Sequence, residues 1–300
     1  MNQSTGSQDL TFLSNSIQLN HGEHYAMILG KNPSVSARSP KLWNSVYSLL
    51  GENRVMHPFD VELESLPELW EYISHDQRCI GGSVAVPYKQ EVFRLLNGNT
   101  DHVTAQIGAV NCLYRQQDGR LFGTNTDGLG ALNTIENSLD NIQSSSFFVF
   151  GLGGVGKSVA ATISNVQGLK NDLLCSGRNP STSKFCETID ATYIPFDDID
   201  TYLDSIDMFI NCSSLGFGED QDKSPLSSSQ LSLLKSNCVI FDVVYNPERT
   251  KLLLDAEQLG YQVINGESMN LEQAVEAFMV VNNIEIPRNK LRELMLSAVK

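Results

Sequence analysis

Glycines that could bind a phosphate group stand between a predicted buried strand and a predicted helix. The apolar residues 147–150 predict the strand, and the helix continues from Val159. The turn between them, Gly151-x-Gly153-x-x-Gly156, has the spacing of the dinucleotide fingerprint. In that fingerprint the glycines allow a tight turn, close approach of the backbone to a pyrophosphate, and close packing of helix on strand. The spacing is therefore compatible with a redox enzyme that binds a dinucleotide.

The same stretch also matches the P-loop pattern, as Gly151-x-x-x-x-Gly156-Lys157-Ser158. In a P-loop, the lysine and serine bind phosphate and magnesium. Such an enzyme also needs an acid at the end of an apolar strand, and Asp242 is the candidate. Because the strand around Asp242 is predicted to continue through Val244, and a long segment precedes the loop, the redox interpretation is favoured over phosphotransfer.

The residues after the second strand of this region indicate which nicotinamide cofactor binds. NAD-preferring domains carry Asp or Glu there, where it accepts hydrogen bonds from the ribose hydroxyls. Here the segment reads Cys175-Ser-Gly-Arg178-Asn179, with no acid. The planar guanidinium of Arg178 suits a 2′-phosphate, so the segment predicts NADP. The alternative is a solvated arginine with no such role.

Composition excludes several other classes. The net charge of −14 argues against a general nucleic-acid or anionic-membrane surface. The sequence has no apolar run long enough for a membrane helix, and it begins without the features of a signal peptide. Its six cysteines lack CxxC spacing and its histidines lack HExxH spacing, which predicts free thiols in a reducing cytoplasm and no metal site.

Alternating predicted strands and helices indicate an α/β protein of two domains, an ordinary division for 300 residues. Residues 1–22 are predicted to be a flexible lead. A first domain follows, with a hairpin that turns at Asp118-Gly119. The serines 144–146 mark a boundary, after which a doubly wound nucleotide-binding domain begins. Two closing helices are predicted at the end of the chain.

The order and spacing of several segments between Gly30 and Phe278 resemble the shikimate dehydrogenase family. These segments are Asn32-Pro33 to Ser39-Pro40, Gly82-Ser-Val-Ala-Val-Pro-Tyr-Lys89, Gly108-Ala-Val-Asn111, Gly123-Thr-Asn-Thr-Asp127-Gly128, the glycine turn, Ile210-Asn-Cys-Ser-Ser-Leu-Gly216, Asp242-Val-Val-Tyr245-Asn-Pro247 and Gly266-Glu-Ser-Met-Asn-Leu-Glu-Gln273. The resemblance implies a substrate domain of residues 23–127 plus 267–300, a Rossmann-type NADP domain of residues 145–266, and a cleft between them. It further implies hydride transfer on a shikimate-like cyclic hydroxy acid in aromatic amino acid biosynthesis, by a monomer or homodimer.

The resemblance also assigns site residues. It implies that Lys89 and Asp127 handle the proton of the reacting hydroxyl, a role suited to an amine beside a carboxylate. Without it, Lys89 would be a solvated lysine at a helix start and Asp127 a helix N-cap. The residues implied to contact the substrate are Ser39, Asn111, Tyr245 and Gln273. Those implied to contact the cofactor are Gly151, Gly153, Gly154, Val155, Gly156, Arg178, Ser214 and Gly266.

The chain departs from the family pattern on the substrate side. Ala37 replaces the first of two serines that hold the substrate carboxylate, with Ser36 a candidate substitute. Ser83 and Ala85 replace an asparagine and a threonine. Each lost hydrogen bond to a charged group is worth about 1.5–3 kcal/mol. We therefore expect an altered substrate: a less polar cyclic hydroxy acid, an amino-substituted relative of shikimate, or quinate, with Arg38 as a further candidate cation. A ligand-sensing module that lost the reaction is the alternative, although such a module has no need of both Lys89 and Asp127.

Overall fold

The computed structural model describes residues 10–20, 22–169 and 172–298. The chain forms two compact units that divide between Thr126 and Asp127 and again between Gln273 and Ala274. The second unit is therefore wider than the predicted 145–266, since it begins at Asp127 and ends at Gln273. The cause is the helix that begins at Asp127, because its first turn packs against the helix that follows the glycine turn.

Parallel and antiparallel strands share one sheet in the first unit. Its elements are β1 (His24–Gly30), α1 (Pro33–Ser36), α2 (Ser39–Leu50), β2 (Arg54–Asp60), α3 (Leu66–His75), β3 (Cys79–Val84), α4 (Lys89–Leu95), α5 (His102–Ile107), β4 (Cys112–Arg115) and β5 (Leu121–Thr124). The strand order is β2-β1-β3-β4-β5. β1 runs parallel to β2 and β3, and β4 runs antiparallel to β3 and β5. The predicted hairpin is confirmed, with Gly119 at a φ of +84° in its turn.

The segment before β1 packs on the first unit, so the predicted flexible lead is wrong for residues 10–20. Leu10 and Leu19 are buried in the same core as Phe59. Asn15 donates from Nδ2 to the carbonyl oxygen of Pro58 (2.8 Å) and accepts from the amide of Asp60 (2.9 Å). Because β2 lies at the edge of the sheet, Asn15 satisfies backbone groups that an edge strand leaves unpaired. Residues 1–9 and 21 of the predicted lead lie outside the described residues.

The second unit carries a fully parallel sheet. Its elements are α6 (Asp127–Glu136), β6 (Phe147–Phe150), α7 (Gly154–Ser164), β7 (Leu173–Ser176), α8 (Ser183–Thr188), β8 (Thr192–Tyr193), β9 (Met208–Asn211), α9 (Ser228–Leu231), β10 (Val239–Asp242), α10 (Lys251–Gln258), β11 (Gln262–Ile264) and the start of α11 (Gly266–Asn282). The order β11-β10-β9-β6-β7-β8 is that of a dinucleotide-binding sheet. The predicted α/β fold class, with a Rossmann-type sheet in its second half, is confirmed.

Two glycines in α6 allow it to contact both α7 and α11 closely. A Cβ on Gly128 would overlap the side chain of Thr162 in α7, and a Cβ on Gly130 would lie 2.8 Å from the Cβ of Gln273 in α11. The rest of α11 and the helix α12 (Arg288–Ser297) belong to the first unit. Among the described residues, the helices are too short or too polar to cross a membrane.

Candidate active site

The glycine turn in the second unit forms an open cradle at the start of α7. Gly151 has a φ of +94°, and a Cβ on Gly156 would overlap the carbonyl oxygen of Gly151. A Cβ placed on Gly153, by contrast, would have no other atom within 4 Å, so a ligand can approach the backbone there. The first amides of α7, from Gly154, Val155 and Gly156, lack helical partners and suit an anion. These residues therefore fit the pyrophosphate of a dinucleotide.

The cradle lies where the strand order of the sheet reverses. β6 has β7 on one side and β9 on the other, and ligands of such sheets bind at this switch point. The loop after β9 meets the loop after β6, because a Cβ on Gly151 would lie 2.7 Å from the amide nitrogen of Ser213. Ser214, the next residue, is exposed. The structure thus brings Ser214 close to the glycine cradle, and its cofactor role stays a prediction.

Arg178 follows β7 at the same edge of the sheet. The amide of Gly151 donates to the carbonyl oxygen of Ser176, the last residue of β7, at 2.8 Å. Gly177 is buried against Leu152 and Thr182, whereas Arg178 is exposed. Arg178 is therefore exposed at the edge of the sheet where the cradle lies. No acid precedes it at the strand end, so the observed segment fits a cofactor with a 2′-phosphate.

The P-loop alternative depended on Asp242, and the structure gives this residue another role. One carboxylate oxygen accepts from the Thr250 hydroxyl (2.7 Å), and the other accepts from Asn211 Nδ2 and the Val244 amide (both 3.0 Å). β10 ends at Asp242, so the predicted continuation through Val244 is wrong. The carboxylate takes the Val244 N–H that a longer strand would use in its ladder.

Sequence reasoning missed the buried polar cluster of Asn211, Asp242 and Thr250. Asn211 Oδ1 accepts from the amide (3.0 Å) and the hydroxyl (2.6 Å) of Ser213, and its Nδ2 also donates to the Leu215 carbonyl oxygen (3.1 Å). The cluster therefore holds the loop after β9, and through Val244 it holds the segment that leads to Tyr245. Tyr245 itself is exposed. Polar residues that end two adjacent apolar strands were the available signal.

The buried Asp242 makes stability depend on pH. Burial raises the pKa of this carboxyl to about 6, while hydrogen bonds from Thr250, Val244 and Asn211 oppose the rise. A folded-state pKa above the unfolded one stabilises the protein at low pH, and this contribution is lost as pH rises from about 4 to about 6, by roughly 3 kcal/mol. Urea unfolding followed by circular dichroism should show this loss in the parent but not in Asp242→Asn. Asp198→Asn, at an exposed carboxylate, is the control and should keep the parent's pH dependence.

In the first unit, the loop before α2 carries the altered carboxylate-recognition segment. Asp60 anchors this loop, because its carboxylate accepts hydrogen bonds from the amide (2.9 Å) and the hydroxyl of Ser34. Ser39 is buried at the first position of α2, and Ala37 is half-buried. The exposed Ser36 hydroxyl donates to the Asn32 carbonyl oxygen at 3.3 Å. The Ser36 hydroxyl is therefore engaged within its own turn, and its substitution for the serine replaced by Ala37 stays a prediction.

The carboxyl end of β3 and the turn after it carry three of the singled-out residues: Ser83, Ala85 and Lys89. Ser83 is buried, and Ala85 packs against Gly30, where a built Cβ would lie 2.9 Å from the Ala85 Cβ. Lys89 is half-buried at the first position of α4, and its carbonyl oxygen accepts from the Val110 amide at 2.9 Å. This bond places Lys89 beside the segment that carries Asn111. The structure thus brings Lys89 close to Asn111 within the first unit.

The side chain of Asn111 holds Thr126, the residue at which the chain leaves the first unit. Its Oδ1 accepts from the Thr126 amide (2.7 Å), and its Nδ2 donates to the Thr126 hydroxyl (3.1 Å). Thr126 immediately precedes Asp127. Because Asn111 is buried and paired with Thr126, it restrains the residue from which the predicted catalytic carboxylate follows.

Asp127 and Gln273 lie in the second unit, connected by a helix contact. Asp127 is buried and is the first residue of α6. Gln273 is half-buried in α11, next to Gly130 of α6, and its Nε2 donates to the Asn270 carbonyl oxygen at 3.0 Å. Gly266 begins α11, and its amide donates to the Val244 carbonyl oxygen at 3.1 Å. A Cβ there would overlap the Val243 carbonyl oxygen, so this glycine serves close packing of backbone.

The second unit has a parallel sheet with the dinucleotide strand order, a glycine cradle at its switch point and an exposed arginine at the same edge. Together these features define a nicotinamide-dependent oxidoreductase. Residues 28–113 match the family model described as the shikimate dehydrogenase substrate binding domain. Shikimate dehydrogenase (NADP(+)) of Methanococcoides burtonii is 30% identical over 275 residues, which is 91% of this chain and 97% of that protein.

Solved structures agree in fold. Shikimate dehydrogenase from Aquifex aeolicus has a TM-score of 0.80 at 24% identity, over 94% of this chain and 100% of that one. Quinate dehydrogenase from Corynebacterium glutamicum, in complex with NAD, has a TM-score of 0.75 at 25% identity, over 92% and 99%. This chain belongs to the shikimate dehydrogenase family. The predicted family and the prediction of an NADP-dependent oxidoreductase are confirmed, and the ligand-sensing alternative is not favoured.

Proposed function

We propose that this protein interconverts a ring hydroxyl and a ketone of a shikimate-like cyclic hydroxy acid, with NADP as the hydride acceptor or donor. One observation carries the proposal. The buried Asp127 begins a helix that packs directly on α7, the helix whose first turn forms the glycine cradle. The carboxylate to which this proposal assigns proton handling is therefore built onto the helix that supports the cofactor cradle.

In the proposed reaction, proton transfer, orientation and substrate binding are assigned to different residues. Lys89 accepts the proton of the substrate hydroxyl during oxidation and returns it during reduction, and Asp127 hydrogen-bonds that hydroxyl and orients the amine. Asn111 restrains Thr126 and so supports Asp127. Ser39, Gln273 and Tyr245 contact the substrate. Bound NADP supplies the nicotinamide carbon that takes or gives the hydride.

The two units take different ligands in this proposal. The first unit, with Lys89 and Ser39, binds the cyclic hydroxy acid. The second binds NADP through the amides of α7, with Ser214 and Gly266 near the nicotinamide end and Arg178 on the 2′-phosphate. We further propose a cytoplasmic monomer or homodimer that acts in aromatic amino acid biosynthesis, binding neither nucleic acid nor membrane. All six cysteines are buried free thiols, which supports a reducing compartment.

We expect a substrate shifted from shikimate, because the chain departs from the family pattern at the positions that recognise it. The family pattern has a serine hydroxyl, an asparagine amide and a threonine hydroxyl where this chain has Ala37, Ser83 and Ala85, and Ser36 bonds to its own turn. Quinate, an amino-substituted analogue and a less polar cyclic hydroxy acid remain the candidates.

A substrate panel tests the proposal. Shikimate, quinate, amino analogues and less polar cyclic hydroxy acids are each supplied with NADP and with NAD, and cofactor reduction is followed by absorbance. We expect NADP reduction with at least one compound, with shikimate showing the weaker KM. Binding of NADP without reduction in any combination would contradict the enzyme and support a sensing module. Magnesium-dependent binding of ATP would support the P-loop function.

A further inference from the structure

Ser158 completed the P-loop pattern in the sequence, but the structure places its hydroxyl away from any phosphate role. Its side chain is fully buried in α7, and its Oγ accepts a hydrogen bond from the Gly128 amide at 2.9 Å. Gly128 lies in the first turn of α6, where amides have no partner within their own helix. The Ser158 hydroxyl therefore caps α6 from a neighbouring helix.

This bond acts on the residue before Gly128. The Gly128 N–H and the Asp127 carbonyl belong to one rigid peptide plane. Fixing that plane restrains the ψ angle of Asp127 and hence the direction of its carboxylate. The close approach of α6 and α7 is specific to this point, because a Cβ on Gly128 would lie 2.9 Å from Ser158 Oγ and would overlap Thr162.

The same serine is rigidly connected to the cofactor cradle. Ser158 stands one helical turn after Gly154, the first residue of α7, and on the same side of the helix. Gly156, between them, packs against the Gly151 carbonyl. A pyrophosphate that orders the first turn of α7 thus also orders the hydroxyl that holds Gly128.

We infer that Ser158 is a positioning residue that couples occupancy of the dinucleotide cradle to the orientation of Asp127. The inference rests on the proposed function for the role of Asp127, and goes beyond it by assigning the helix contact through which cofactor binding reaches that carboxylate. It also gives the serine of the P-loop-like sequence a use without magnesium or a triphosphate.

A binding experiment tests the coupling without turnover. Hydrogen–deuterium exchange of peptides that cover residues 126–132 is measured with and without NADP. We expect NADP to slow exchange in the parent and this slowing to be lost in Ser158→Ala and in Ser158→Gly, two variants that both remove the hydroxyl. The control is Ser164→Ala, on the same helix, whose half-buried hydroxyl donates to the Ala161 carbonyl oxygen at 2.9 Å. Equal slowing in the parent and in folded Ser158 variants would overturn the inference, even if every substrate in the panel failed.

A double-mutant cycle tests the consequence for catalysis. Ser158→Ala should lower kcat about tenfold, since a small misplacement of a reacting group is costly, while KM for the substrate and Kd for NADP change less than about twofold. In the Asp127→Asn background, the same substitution should change the residual kcat less than about twofold, because the group it positions is gone. The same tenfold loss in both backgrounds would show a general structural effect and contradict the inference.

Discussion

Replacing Lys89 by alanine is expected to lower kcat by at least about 10²-fold and to leave Kd for NADP unchanged. The amine is the proposed proton acceptor, and proton transfer by a positioned side chain contributes roughly that factor or more. Lys89 belongs to the first unit, whereas the residues proposed to bind NADP belong to the second, so we expect the amine to contribute little to cofactor binding. Steady-state kinetics with the best panel substrate and titration of NADP by protein fluorescence measure the two quantities.

The matched control is Lys41→Ala, which removes an exposed lysine from α2 of the same unit. This variant should keep the parent's kcat. Full activity of the Lys89 variant would refute the proposed mechanism, whereas loss of NADP binding would show that the substitution had disturbed more than proton transfer.

The second large effect concerns substrate choice. Ser83→Asn together with Ala85→Thr is expected to lower KM for shikimate by about tenfold or more for each contact restored, because a hydrogen bond to a charged group is worth about 1.5–3 kcal/mol. Ser83 lies at the carboxyl end of β3 and Ala85 directly after it, four residues before Lys89. The specificity constant, kcat/KM, for shikimate and for the best panel substrate is measured in the parent and in the double variant.

Ser83 is buried, so the larger asparagine could disturb packing. The thermal midpoint of each variant is therefore compared with the parent, and Ala85→Thr alone, at a half-buried position, serves as the smaller change. If stable variants gain nothing with shikimate, the altered positions do not set the substrate preference.

The sequence predicted elements whose signals are local. Apolar runs bounded by turn residues located the strands of both sheets, and Asp118-Gly119 located the hairpin. The glycine spacing located the cradle, because the residues of such a turn are neighbours in the chain. The strand order then follows from the general rules for doubly wound sheets.

The contacts that sequence reasoning missed join residues far apart in the chain. Ser158 and Gly128 are separated by 30 positions, and Asn211 and Asp242 by 31. No local pattern specifies which distant partner a buried hydroxyl or amide will find. The pair Gly128 and Gly130 in α6 was a usable signal, since two small residues on a short helix indicate close packing. The N-terminal segment was wrongly predicted as flexible because its apolar residues are spaced without a helical or strand period.

The path of α11 sets the order in which the two cores can be completed during synthesis. The second unit is one continuous stretch of chain, whereas the first needs residues that are translated after it. The indole of Trp43 meets the Phe278 ring edge to face, with the ring centroids 5.2 Å apart, and donates to the Ala274 carbonyl oxygen. The Tyr47 hydroxyl donates to Asn282 Oδ1 (2.7 Å). These partners are translated after the whole of the second unit. The half of the protein that is made first is therefore the half that finishes folding second, and until then the indole and phenol of α2 lack the aromatic and polar partners that bury them.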